Sequence, residues 1–128
     1  MRKIILLLLV SSGALAQPAA SSWERIHQFR LIAKVEDQEK RFNELLQEGA
    51  VDKSKPNEYD EYRIALAIGW LAKGNIERYK YYTGGDPKFT AINLIDVTYA
   101  LEYLVEDSRN LSIVEQVSRE ILDQIENA

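Results

Sequence analysis

The only histidine in the chain, His27, is the first side chain to consider for chemistry. Glu24 precedes it by three residues, and a Glu/His pair one helical turn apart can ligate a metal ion. A metal site of this kind needs a third protein ligand, and none is evident in the sequence. The acids also lack the alternating pattern and central glycine of a calcium loop. The sequence therefore predicts no metal site and an exposed or half-buried His27.

Two groups of carboxylates offer acid–base chemistry. They are Glu36, Asp37 and Glu39, and Glu58, Asp60 and Glu61. Two acids held several ångströms apart can hydrolyse a glycoside, so a small carboxylate-dependent hydrolase is one alternative for this chain. The acids at 58–61 are more simply explained by the dipole of a helix that begins there. The acids at 36–39 are interpreted as a solvated face shared with Lys40 and Arg41.

Nucleophilic catalysis has no candidate group. The chain has no cysteine, its C-terminal serines have no histidine nearby in the sequence, and no Gly-x-Ser-x-Gly motif is present. The segment Gly84-Gly85-Asp86-Pro87 lacks the Gly-Lys-Ser/Thr sequence of a phosphate-binding loop and is interpreted as a turn. We therefore expect a protein that is not an enzyme and that has no catalytic residues and no cofactor.

The tyrosines form the most distinctive cluster. All seven lie between residues 59 and 103, and three of them fall in one short predicted helix. In that helix Tyr79 and Tyr82 share a side and Tyr81 points away. Tyrosine is favoured at protein interfaces, although it also lines the rim of hydrophobic cores. The predicted partner-binding residues are Tyr79, Tyr81, Tyr82, Tyr99 and Tyr103.

The first 16 residues have the features of a secretory signal peptide. Arg2 and Lys3 precede the apolar run 4–10, and residues 14–16 (Ala-Leu-Ala) have the small-x-small pattern that signal peptidase requires. The apolar run is much shorter than the roughly 20 residues that span a bilayer. The sequence therefore predicts an exported protein, periplasmic or extracellular, with no stable membrane span after cleavage.

Removal of residues 1–16 leaves a more acidic protein. That segment contains two bases and no acid, so the formal charge falls from −4 to −6. Negative charge disfavours binding to nucleic acid and to anionic lipid. Residues 17–21 are predicted to form a flexible leader, and residues 22–128 a single helical domain.

Apolar residues recur at spacings of three and four, and no long segment alternates with a period of two. This pattern predicts an all-α fold. Breaks are expected at Gly49, Pro56, Gly74-Asn75 and Asp86-Pro87. The expected helices are about five, over residues 23–48, 58–73, 76–83, 88–106 and from about 112 to 126. Short connections favour antiparallel hairpins or an irregular bundle.

Two similar helix ends indicate an internal repeat. The sequence 67–71 (Ala-Ile-Gly-Trp-Leu) is similar to 100–104 (Ala-Leu-Glu-Tyr-Leu) at an offset of 33 residues, and each is followed by a turn containing an asparagine. Over residues 59–126 the chain resembles tetratricopeptide-type helical hairpins. It departs from that family at Tyr79 and Val114, where a small residue is usual. The resemblance implies protein–protein binding in a groove between stacked helices, without identifying the binding residues.

These observations favour an exported, non-catalytic helical module for protein–protein interaction. Its expected partner is a protein, and a homo-oligomer is an open possibility. The alternative is a helical inhibitor or immunity protein, or a subunit of a larger envelope assembly, in which an acidic surface would bind a basic partner. The hydrolase is the less favoured third hypothesis.

Overall fold

A computed structural model describes residues 22–127 as seven α-helices and one short 3₁₀ helix, with no strand in that range. The helices are α1 (Ser22–Arg30), α2 (Val35–Gln47), α3 (Pro56–Ala72), α4 (Ile76–Thr83), α5 (Pro87–Ile92), α6 (Leu94–Leu104) and α7 (Leu111–Glu126); the 3₁₀ helix is Ser108–Asn110. The all-α prediction is confirmed, with seven helices instead of about five. The predicted signal peptide (1–16) and leader (17–21) lie outside the described residues. Within the described range, no helix has both the length and the apolar character needed to cross a membrane.

The first predicted helix is divided into α1 and α2. At about 100° per residue, a continuous helix would place Ile26 and Phe29 nearly opposite Val35 and Phe42. All four side chains are buried in the core, so the chain must change direction between them. The break spans residues 31–34, and Gln38 Nε2 donates across it to the Phe29 carbonyl oxygen at 3.4 Å.

The fourth predicted helix is divided at Asn93. Its backbone leaves the helical region (φ −106°, ψ 34°), and its Nδ2 donates to the Phe89 carbonyl oxygen at 3.0 Å. An asparagine side chain that bonds the backbone four residues earlier competes with regular helix geometry. The buried residues before and after Asn93 share one face at helical spacing, so hydrophobic periodicity does not indicate this break.

Helix α3 is the centre of the fold. Its Tyr62, Leu66, Ala67 and Leu71 have no solvent-exposed surface, and α1, α2, α4 and α6 all pack on it. Gly69 permits the approach of α2, because a Cβ at this position would lie 2.8 Å from Val35 Cγ2.

The two turns of the sequence repeat lie against each other. Gly74 has a left-handed backbone (φ +78°), and a Cβ there would lie 3.1 Å from Asn110 Oδ1 and 3.6 Å from Leu104 Cδ2. In the first half of α3, Asp60 and Ile64 line a cavity together with Ile92 and Asn93, which lie where α6 begins. Helices α3 and α6 therefore run side by side in the same direction.

The predicted helix starts have mixed outcomes. Asp86 and Pro87 start α5 as expected, with Asp86 Oδ1 accepting from the Lys88 N–H at 3.0 Å. Helix α3 begins at Pro56, two residues before its predicted start at residue 58. Helix α7 begins at Leu111, one residue before its predicted start at about residue 112, because the 3₁₀ turn leads directly into it. That turn is capped by Asp107, whose carboxylate accepts from the Arg109 N–H at 2.9 Å.

Candidate functional site

An exposed apolar stripe runs along α6 and the end of α5. Its members are Ile92, Ile95, Tyr99 and Tyr103, with 79%, 72%, 66% and 76% of their surfaces exposed. Spacings of four residues place Ile95, Tyr99 and Tyr103 along one side of α6, and Ile92 precedes them at the end of α5. The four residues are called the apolar stripe below.

The opposite face of α6 forms part of the core. Val97, Ala100, Leu101 and Leu104 are buried there, so α6 is apolar on both faces. A helix that is hydrophobic all round is normally buried on all sides. Isolated exposed apolar residues are common on protein surfaces, whereas a continuous row marks an interaction site. The stripe is therefore the strongest candidate for a binding surface among the described residues.

A groove adjoins the stripe. It has a volume of about 790 Å³ and lies between α3, α6 and the segment that joins α1 to α2. Its lining includes Ile64, Ala65, Ile68 and Ala72 from α3. Tyr103 belongs both to the stripe and to the wall of the groove, so the two form one continuous surface.

The α6 side of this surface is negatively charged. No basic residue occurs between Lys88 and Arg109, whereas Asp96, Glu102 and Glu106 fall in that segment. None of these three carboxylates makes an ion pair with another residue of the described range. At about 100° per residue, Asp96 and Glu102 flank the stripe on its two sides.

The groove wall opposite α6 carries bases, most of which are already paired. Arg30 is ion-paired with Glu61, and Lys73 with Glu36. The nearby Lys73 ammonium lowers the pKa of Glu36 below its ordinary value. Lys34 is the remaining base of the lining, and none of the three bases forms an ion pair with Asp96, Glu102 or Glu106 in the described range.

The five predicted tyrosines are divided between core and surface. Tyr79 and Tyr82 are buried, whereas Tyr81, Tyr99 and Tyr103 are exposed, as helical periodicity predicted for α4. The Tyr79 hydroxyl lies 2.8 Å from Thr90 Oγ1, and burial raises the pKa of both Tyr79 and Tyr82. Only Tyr99 and Tyr103 lie on the stripe; Tyr81 is on α4, in edge-to-face contact with Tyr82.

Two stripe residues were not predicted as binding residues. Ile92 and Ile95 lie within the fourth predicted helix (88–106) and are the most exposed isoleucines of the described chain. A sequence signal existed, because at about 100° per residue Ile95, Tyr99 and Tyr103 fall opposite Val97 and Leu101. Both sets are apolar, so periodicity by itself does not say which one faces the core.

The acids at 58–61 join helices through ion pairs. Glu58 Oε1 accepts from Arg25 Nη2 at 3.1 Å, which raises the pKa of the arginine, and Glu61 pairs with Arg30. These pairs connect α3 to α1. Asp60 pairs with Arg63 within α3, at 3.2 Å.

The acids at 36–39 are also engaged across helices. Glu39 Oε2 accepts from Trp70 Nε1 at 2.8 Å, and its Oε1 accepts from Arg78 Nη1 at 2.8 Å. Together with the Glu36–Lys73 pair, these contacts connect α2 to the α3–α4 hairpin. The expected partners Lys40 and Arg41 do not share this role, since Arg41 pairs with Glu44 and Glu48 on its own helix and its C-cap.

His27 is exposed on α1. Residues 22–127 contain no group of three or more His, Asp or Glu side chains placed to hold a metal ion. The histidine and carboxylate side chains considered for catalysis therefore lie on the surface or in ion pairs. Among the described residues, the apolar stripe and its groove are the clearest candidate binding surface.

No model of a known protein family matches the chain, and comparison with curated proteins and with solved structures gave no significant match.

Proposed function

We propose that this chain is an exported, non-catalytic module for protein–protein interaction, and that the apolar stripe and the adjoining groove are its binding surface. The predicted signal peptide supports export to the periplasm or beyond. The absence of cysteine and the single histidine in the sequence favour binding over catalysis.

The observation that carries the proposal is the two-faced apolar character of α6. Its inner face contributes four buried residues to the core, while its outer face exposes Ile95, Tyr99 and Tyr103 by at least 66% each. Exposing such a row to water is unfavourable, because roughly 25 cal/mol is lost per Å² of apolar surface left uncovered. A partner that covers the row would recover that free energy.

The packing of the hairpins supports the same proposal. Helices α3 and α6 lie side by side in the same direction, each is followed by a helix that returns, and the two repeat turns touch at Gly74 and Asn110. In tetratricopeptide-like stacking the first helices of successive hairpins run side by side and line a binding groove. Here the groove is lined by α3, by Asp96 and Tyr103 of α6, and by the segment that joins α1 to α2.

Site-specific photo-crosslinking in the producing cell tests the proposal. A benzophenone amino acid replaces Tyr99 in one variant and Tyr81 in a control variant; the two tyrosines are similarly exposed, at 66% and 71%. We expect a discrete protein adduct from position 99 that is absent from position 81, and we expect Ile95→Asp to abolish it. Equal adduct patterns at the two positions, or an adduct that survives Ile95→Asp, would refute the assignment of this surface.

A further inference from the structure

We infer that the partner presents an amphipathic helix with a basic polar face, which lies along the apolar stripe with its apolar residues against the groove. This inference rests on the proposed function and specifies the chemistry of the partner. The shape and the charge of the surface both favour such a helix, and the charge disfavours other occupants.

The shape of the surface fits a helix. Ile95, Tyr99 and Tyr103 form a row at intervals of four residues, the ridge by which one helix packs into the groove of another. From Ile95 to Tyr103 the row advances by eight residues within α6, or roughly 12 Å at 1.5 Å per residue, which matches about two turns of a partner helix, and Ile92 extends it beyond the break at Asn93. The described residues contain no strand, so an extended peptide has no sheet edge to pair with.

The charge of the surface selects a basic partner. Asp96 and Glu102 flank the stripe, Glu106 extends the acidic side towards its end, and no base lies between Lys88 and Arg109. Acids beside an apolar seam choose partners in the way that flanking charges do in coiled coils. Lysines or arginines on a docked helix would therefore meet carboxylates that have no ion-pair partner among the described residues.

The same charge disfavours two other occupants. A second copy of the chain docked through the stripe would bring Asp96, Glu102 and Glu106 close to the same residues of the other copy, which is unfavourable. An anionic membrane surface would likewise be repelled, because lipid recognition of this kind uses lysine and arginine. A basic amphipathic helix satisfies both the apolar row and its acidic borders.

The test uses two synthetic helical peptides with the same leucine and alanine face. One carries lysine on its polar face and the other glutamate. Binding to the purified protein is measured by fluorescence anisotropy at about 50 mM and about 300 mM salt, because exposed charge pairs are screened over this range. We expect the lysine peptide to bind about tenfold more tightly at low salt, and this preference to shrink at high salt.

Three variants assign the effect to this surface. Asp96→Asn with Glu102→Gln should reduce the preference for lysine severalfold. The matched pair Asp37→Asn with Glu77→Gln, two exposed acids on other helices, should leave it unchanged. Ile95→Ser with Tyr99→Ser should abolish binding of both peptides.

The possible outcomes separate this inference from the proposed function. Equal binding of the two peptides, abolished by Ile95→Ser with Tyr99→Ser, would overturn the basic-partner inference and leave the interaction surface in place. Binding of neither peptide would overturn the helix assignment, while the crosslinking result would still decide the proposed function. A dimer in sedimentation equilibrium that Ile95→Ser dissociates, or binding to anionic vesicles in place of the peptides, would overturn the inference in favour of those occupants.

Discussion

At the scale of single residues, burial decides what a tyrosine does in this protein. Tyr79 and Tyr81 are two positions apart, yet one is 1% exposed and the other 71%. Tyr79 places its hydroxyl against Thr90 inside the α4–α5 region, whereas Tyr81 leaves its ring on the surface. The same side chain therefore serves as a polar link in the core and as an exposed aromatic ring.

The buried Tyr79 hydroxyl yields a prediction about stability. Tyr79→Phe removes the 2.8 Å hydrogen bond to Thr90 Oγ1 and should lower the free energy of unfolding by about 1 kcal/mol. Urea denaturation followed by circular dichroism measures the change. Tyr81→Phe is the control, since its ring is exposed, and it should have no measurable effect. Equal stability of the two variants would contradict a structural role for the Tyr79 hydroxyl.

At the scale of helices, α3 and α6 are both rich in apolar residues but differ in how completely neighbouring helices cover them. Helix α3 is buried by neighbours around most of its circumference and needs a glycine where α2 crosses it. Helix α6 is equally apolar on its inner side but has no described neighbour over its stripe. The first helix organises the fold, and the second offers a surface to a partner.

Gly69 is where this crossing can be tested. In an ordinary helix, alanine is more favourable than glycine by about 1 kcal/mol. At Gly69 the new Cβ would meet Val35 Cγ2 at 2.8 Å and Cβ at 3.1 Å, and a β-branched valine has little freedom to move away. Gly69→Ala should therefore lower the free energy of unfolding by about 1–2 kcal/mol, measured by urea denaturation.

A double-mutant cycle isolates the contact between α2 and α3. Val35→Ala removes the methyl groups that the new Cβ would meet, so Gly69→Ala should cost much less in that background. If Gly69→Ala were equally costly in both backgrounds, close approach to Val35 would not be the reason for the glycine.

At the scale of the whole molecule, folding and binding use opposite faces of the same helix. The core contains side chains from the inner face of α6, while the apolar stripe contributes little to burial. Ion pairs such as Glu58–Arg25 and Glu39–Arg78 connect the N-terminal helices to the α3–α4 hairpin without using the stripe. The molecule can therefore change its binding surface without losing its fold.

This separation predicts that the stripe is dispensable for stability. Ile95→Ser with Tyr99→Ser should change the free energy of unfolding by no more than about 0.5 kcal/mol per site, because both side chains are largely exposed. Val97→Ser on the buried face is the matched control and should cost about 2–4 kcal/mol. Thermal and urea unfolding measure both. A large loss from the stripe variant would mean that these residues support the fold.

Much of the helical framework could be predicted from local signals. The turn at Gly74-Asn75 and the start of α5 at Asp86-Pro87 depend on backbone conformation and capping within a few residues. The division between α1 and α2 is also encoded locally, as a reversal of the apolar face between Phe29 and Val35. The kink at Asn93 has no such reversal, because the residues on both sides bury the same face.

Local signals predict that the chain is helical and where most of its turns lie, because turn and cap chemistry acts between residues close in the chain. Which face of α6 is covered depends on the tertiary structure, which buries Val97 and Leu101 and leaves Ile95 and Tyr99 exposed. Both faces of that helix are apolar, so the hydrophobic effect favours burying either one. The choice between them depends on neighbours that are distant in the sequence.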